Sequence, residues 1–266
     1  MLASELRLLF GRARTRAVLL ALATIPFVLA TAVRLSGGPS QGQGPPFLSQ
    51  VAGNGVFAAI AGLTVVLPFF LPLAVSMVAG DTIAGEASVG TLRALLVRPV
   101  GRGRLLAAKG ASAATFCLAA AAGVAVAGLV AGALMFPLRP VTTLSGATMS
   151  LAEGSVRTLL AAGVVAMSML GLAAVGVFVS TLTDSAVAAM AATAVTAIVS
   201  QVLDAIPQLS AIHPLLLSHR WSAYAELFRS TGGFGPLGAA LLLQAAWVVV
   251  FGLAAWGRFT TKDVLS

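Results

Sequence analysis

The chain has 266 residues, 59% of them hydrophobic and 9% charged, with a formal net charge of +8. A soluble globular domain holds about 25% charged residues, so a soluble fold is excluded. No basic tract interleaved with aromatics occurs, so the positive charge does not point to nucleic acid.

Uncharged intervals run from Ala17 to Val33, Leu35 to Gly80, Gly110 to Leu138, Thr158 to Thr183, Ser185 to Leu203 and Ser230 to Gly257. Each can hold the roughly 20 residues that cross a hydrocarbon core of about 30 Å. The sequence therefore predicts an all-α polytopic membrane protein. An interfacial helix over 1–16 precedes one transmembrane domain over 17–266, with six spans at about 17–34, 56–79, 111–136, 157–181, 186–206 and 238–257. Four basic residues precede span 1, five lie between spans 2 and 3, and two follow span 6, which leaves Arg34, Arg139, Arg157, Arg220 and Arg229 for the other side. This bias predicts a multi-pass protein of the cell membrane with both termini cytoplasmic.

At 100° per residue, Leu2, Leu6, Leu9, Phe10 and Ala13 fall on one side of the first helix, and Arg7, Arg12, Arg14 and Arg16 flank them. Such a helix lies in the membrane interface, its arginines reaching lipid headgroups or a neighbouring protein. The 17-residue run after it ends in a signal-peptide-like Ala30-Thr-Ala32. It is longer than an apolar signal region of about 7–15 residues and reads as a retained span with a possible kink at Pro26.

Ser36 to Pro46 is a turn-rich outer loop, and Pro68 and Pro72 inside span 2 predict a bend. Span 3 contains Gly128-x3-Gly132, a close-packing signal compatible with a dimer face or with packing inside the chain. Asp184 or Ser185 caps span 5, and Asp204 stands near its outer end. In the outer segment 207–237, a short helix over 215–228 carries aromatics suited to headgroup depth. His213 and His219, six residues apart without a third ligand in sequence, read as ordinary polar residues, and Cys117 has no metal-ligating neighbours.

The densest patch of charge is the cytoplasmic segment 81–110, with Asp81, Glu86, Arg93, Arg98, Arg102, Arg104 and Lys109. Its pattern predicts a short helix over Thr82–Val89 capped by Asp81 and ended by Gly90, then a second over Thr91–Arg98 stopped at Pro99. A rigid knob of this kind suits docking to a protein surface.

The run Glu86-x3-Gly90-Thr91-Leu92-Arg93-x-Leu95-Leu96-x2-Pro99-Val100-x-Arg102-x2-Leu105-Leu106-x2-Lys109 resembles the cytoplasmic signature of the membrane subunits of type-2 ATP-binding-cassette (ABC) transporters. The resemblance implies a permease whose loop after span 2 holds a coupling helix seated on a cytosolic ABC ATPase. It makes Asp81, Glu86, Gly90, Arg93, Pro99 and Arg102 the coupling residues. It also implies a second permease protomer, in a homo- or heterodimer, and export, while the apolar spans with few polar positions suggest a hydrophobic or amphipathic substrate. The pattern G-x4-G-K-[ST] is absent and Lys109 and Lys262 are the chain's only lysines. ATP and Mg2+ are therefore expected on the partner, with no cofactor and no enzymatic site in this chain. The alternatives are an ion-coupled secondary transporter or a polytopic membrane enzyme. Both are weak: no span has a charged centre, H-E-x-x-H is absent and Gly110-Ala-Ser112-Ala lacks the final glycine of G-x-S-G.

Overall fold

The computed structural model describes residues 1–36, 48–90, 101–138, 140–142, 148–228 and 234–261. Helix α1 (Leu2–Gly11) ends where Arg12 turns extended, at φ −68° and ψ 129°. Helix α2 (Ala13–Ser36) follows at once, so Arg14 and Arg16 ride on its first turn rather than on the interfacial helix. After α3 (Leu48–Val51) come α4 (Val56–Val66), α5 (Phe70–Ser88) and the long α6 (Arg102–Met135). Two-residue strands β1 (Val141–Thr142) and β2 (Thr148–Met149) pair antiparallel, a small exception to the expected all-α fold. Then come α7 (Leu151–Ser168), α8 (Leu170–Leu182), α9 (Ala186–Asp204), three 3-10 segments (Pro207–Leu209, His213–Leu215, Trp221–Phe228) and α10 (Phe234–Thr261).

Among the described residues, five helical stretches are long and apolar enough to cross a membrane: α2, α6, α7 running into α8, α9 and α10. The α4–α5 region reaches that length only as a pair bent by 59°. The break at Leu67–Phe69 contains Pro68. Prolines at 68 and 72 each lack an amide and crowd the carbonyl four residues back, which opens the ladder where the helix bends. Leu20, Val28, Leu134, Val187, Leu242 and Leu253 are exposed around the bundle. An apolar belt of this kind requires lipid in place of water, and the chain is a multi-pass membrane protein.

Helix α6 is the axis of the bundle, packing on α1, α2, α4, α5, α7, α8 and α10. Its two spaced glycines explain the closeness of the α4 contact. A Cβ on Gly128 would overlap Ala59, and one on Gly132 would overlap the carbonyl of Gly55. The glycine pair therefore faces inward, where small residues let backbones touch and dispersion replaces the missing hydrophobic drive. The ring of Pro26 in α2 fills the space above Gly62 in the same way.

Three expectations need correction. Residues 81–88 are the last turns of α5 rather than a separate helix, so Asp81 is an internal helical residue and not a cap. Likewise 102–110 is the first part of α6, and the connection shrinks from both sides. The helices extend because charged side chains on these turns find partners on one another, so the spans do not have to stop where charge begins. In the outer segment, the helical part is the 3-10 stretch Trp221–Phe228. Trp221, Tyr224 and Phe228 in it are buried, with the Tyr224 hydroxyl 2.7 Å from Thr64 Oγ1. These aromatics pack into the protein. Ser185, of the two proposed caps, holds the α9 amino end by accepting from the Ala188 amide at 3.3 Å.

Candidate functional site: an ionic cluster at one end of the bundle

The charges that the sequence scatters over 104 positions meet where α1, α2, α5 and α6 converge. Asp81 Oδ2 accepts from Arg12 Nη1 at 2.6 Å and from Arg14 Nη2 at 2.5 Å. Lys109 Nζ donates to Glu5 at 3.3 Å and to Glu86. Three acids thus face three bases, and the cluster is electrically balanced. That balance is what permits its burial, since an unpaired charge at this depth would cost several kcal/mol. The Lys109 side chain is 3% exposed, Glu5 13% and Glu86 12%, whereas Arg12 and Arg14 are 45% and 44% exposed. The inner trio is therefore the strongly coupled part, and the outer arginines are partly screened by solvent. A gap of about 30 Å³ remains between the side chains, room for a water molecule to join the network.

Local geometry places each member. The extended Arg12 lets α1 fold back onto α6, which brings Glu5 over Lys109 while Leu9 packs on the core. Glu86 lies five residues after Asp81 on α5, about 140° further round the helix, so Asp81 meets the arginines at the α1–α2 junction while Glu86 meets Lys109 of α6. Ser180 of α8 fixes α5 at this level. Its buried hydroxyl accepts from the amides of Ile83 at 2.9 Å and Ala84 at 2.8 Å. Gly80 lies directly against the α9 backbone at Ala189 and Met190. Gly90, at φ +75°, ends α5 in a left-handed conformation that glycine adopts without strain.

Of the residues singled out in the sequence, Asp81, Glu86, Arg12 and Arg14 come together. Arg7 and Arg16 are exposed. Arg102 instead reaches α10, donating to the Thr260 carbonyl at 3.2 Å. Arg93 and Pro99, with the proposed second helix, lie outside the described residues. Sequence reasoning missed Glu5 and Ser180, and placed Lys109 in the charge bias and the signature run without giving it an acidic partner. A usable signal was present: Lys109 stands in an alanine-rich stretch facing a chain with only eight acids, where a cation must find one of them.

Two apolar hollows flank the bundle. One of about 400 Å³ lies between α6, α8 and α10, lined by Leu106, Gly110, Ala114, Ala173, Val177 and Gly252. The other, about 330 Å³, lies between α2 and α5 below the bend, lined by Leu22, Ile25, Phe70, Leu73 and Met77.

Among curated proteins the chain is similar to the "Probable ABC transporter permease protein NosY" of Pseudomonas aeruginosa, at 36% identity over 91 residues, 34% of this chain and 30% of that protein. The protein of the same name from Stutzerimonas stutzeri is 35% identical over 91 residues, with the same shares of each chain. The aligned stretch thus spans under a third of either relative. A family model described as "Protein of unknown function (DUF2705)" matches residues 17–265. With that match running over nearly its whole length, the chain belongs to the DUF2705 family.

Proposed function

We propose that the chain is the permease subunit of an ABC transporter. With a second permease protomer, as a homodimer or heterodimer, it forms a path through the cell membrane and draws its energy from a separate cytosolic ABC ATPase carrying ATP and Mg2+. The bent α4–α5 pair serves as the sixth span, both termini are cytoplasmic, and the segment joining α5 to α6, with Arg93 and Pro99, docks on the ATPase. The similarity to NosY permeases and the positive-inside charge bias support this reading.

The observation that carries it is the ion cluster. It clamps α1, α2, α5 and α6 together at the end of the bundle where the connecting segment leaves α5 and returns to α6. A push on that segment is thereby delivered to four helices, one of which, α5, is the second arm of the bent α4–α5 pair. The bend is the element able to change angle as the path alternates between openings. Glu86, largely buried against Lys109, transmits the push rather than meeting the ATPase surface. The apolar hollows suit export of a hydrophobic or amphipathic cargo.

The test is purification in detergent with a co-expressed ABC ATPase from the same genome, for wild type, Glu86→Ala and Arg93→Ala. The expected result is that wild type brings the ATPase down and that Arg93→Ala loses it. Glu86→Ala keeps the ATPase but no longer stimulates ATP hydrolysis in response to cargo. Transport that persists after ATP depletion would sink the proposal and favour an ion-coupled carrier.

A further inference from the structure

The histidines of the outer segment are not isolated from a third ligand in space. Asp204, the last residue of α9, lies beside both: its Oδ1 is 2.6 Å from His219 Nδ1 and 4.0 Å from His213 Nδ1. One ligand atom from each of the three falls within 4.8 Å of the other two. The rings of His213 and His219 stand 5.7 Å apart, tilted by 40°. We propose that Asp204, His213 and His219 form a binding site for a divalent transition-metal ion of the Zn2+ class.

The local fold builds this arrangement. The α9 helix ends at Asp204, and the short 3-10 turns at Pro207–Leu209 and His213–Leu215 reverse the chain so that residues 9 and 15 positions later return to its carboxylate. The Nε2 of His213 is 3.1 Å from the Ile206 carbonyl. A carbonyl can only accept, so Nε2 carries the proton and the neutral ring keeps the Nδ1 lone pair for a metal. A backbone carbonyl orienting a histidine through its other nitrogen is the usual outer support of a metal ligand. His219 donates to Asp204 when no ion is bound; metal entry moves the proton from Nδ1 to Nε2 or to water, so that imidazole and carboxylate both face the ion.

Two ligands of a tetrahedral zinc, each at about 2.0–2.1 Å, lie roughly 3.3 Å apart. The pairs at 2.6 and 4.0 Å bracket that separation, and side-chain rotations of about 1 Å bring them to it. Two imidazoles and one carboxylate suit zinc and its first-row neighbours and do not suit Mg2+ or Ca2+, which take oxygen ligands. All three side chains are partly exposed, which gives the ion an entry route and leaves the fourth position to water. The site lies about 20 Å along α9 from Met190, the residue beside Gly80, so it belongs to the opposite end of the bundle from the ion cluster. It stands independently of the transport proposal.

The full chain in detergent, with any affinity tag removed, is titrated with zinc chloride against a competing chelator, and bound metal is counted after dialysis. Wild type binds one zinc per chain with micromolar or tighter affinity, and zinc raises its midpoint of thermal unfolding. Asp204→Asn, His213→Ala and His219→Ala each weaken binding at least about 100-fold and lose the thermal shift, while Ser210→Ala behaves as wild type. The folded state of each variant is checked by its melting curve without metal. Wild type that binds zinc no more tightly than the His213→Ala/His219→Ala double variant overturns the site, and the three side chains then form only a hydrogen-bonded end to α9.

Discussion

Lys109 and Glu86 form an ion pair across two different helices, α6 and α5, with both side chains nearly sealed from solvent. Removing the cation leaves Glu5 and Glu86 facing each other without compensation. Lys109→Met should therefore destabilise the chain by about 3–5 kcal/mol, read as a lower midpoint of thermal unfolding in detergent. Lys109→Met combined with Glu86→Gln should recover part of the loss. An unchanged midpoint in the single variant would mean that the pair is solvated.

The outer half of the cluster predicts a smaller effect. Arg12 and Arg14 are nearly half exposed, so Asp81→Asn should cost about 1 kcal/mol or less in stability. Its main consequence is that α1 detaches, which limited proteolysis between α1 and α2 detects as faster cleavage. Equal cleavage rates in variant and wild type would show that Glu5 and Lys109 alone hold α1 down.

Ser180→Ala leaves the buried amides of Ile83 and Ala84 without the side-chain acceptor that they share. The loss of a shared side-chain acceptor by two amides inside α5 costs about 0.5–1.5 kcal/mol. Hydrogen exchange at residues 80–86 should rise in the variant, while residues 56–66 of α4 stay as protected as before. A uniform rise over the whole chain would instead point to global loosening.

At the α4–α6 crossing, Gly132→Ala should lower the yield of folded protein sharply, because the added methyl meets the Gly55 backbone, which has no way to yield. Gly123→Ala, in the same helix, has open space around its Cβ and should be accepted. Size-exclusion profiles of the two variants give the comparison.

The membrane-spanning helices were legible because length and hydropathy are one-dimensional properties, and a 20-residue apolar run has few other stable forms in a bilayer. The bend was legible from Pro68 and Pro72, and the α9 cap from Ser185. What the sequence concealed was partnership. Glu5 and Lys109 are 104 positions apart, and nothing in either neighbourhood names the other. Asp81 resembled a helix cap because a carboxylate before a short helical stretch often is one; its two arginines come from a different element. Asp204 and His219 were hidden similarly, by a reversal of chain through two 3-10 turns that carries no periodic signal. The direction of the Gly128–Gly132 face, also open in sequence, was settled by Ala59 and Gly55.

The central claim is that the segment between α5 and α6 meets the ATPase. The native Cys117 is buried and is the chain's one cysteine, so single cysteines can be placed at will. Arg93→Cys, in the segment between α5 and α6, and Ser210→Cys, past the far end of α9, are each tested for cross-linking to the co-expressed ATPase. The account predicts a nucleotide-sensitive cross-link from position 93 and none from position 210. No cross-link from position 93 under any nucleotide condition, or one from position 210 instead, would contradict it.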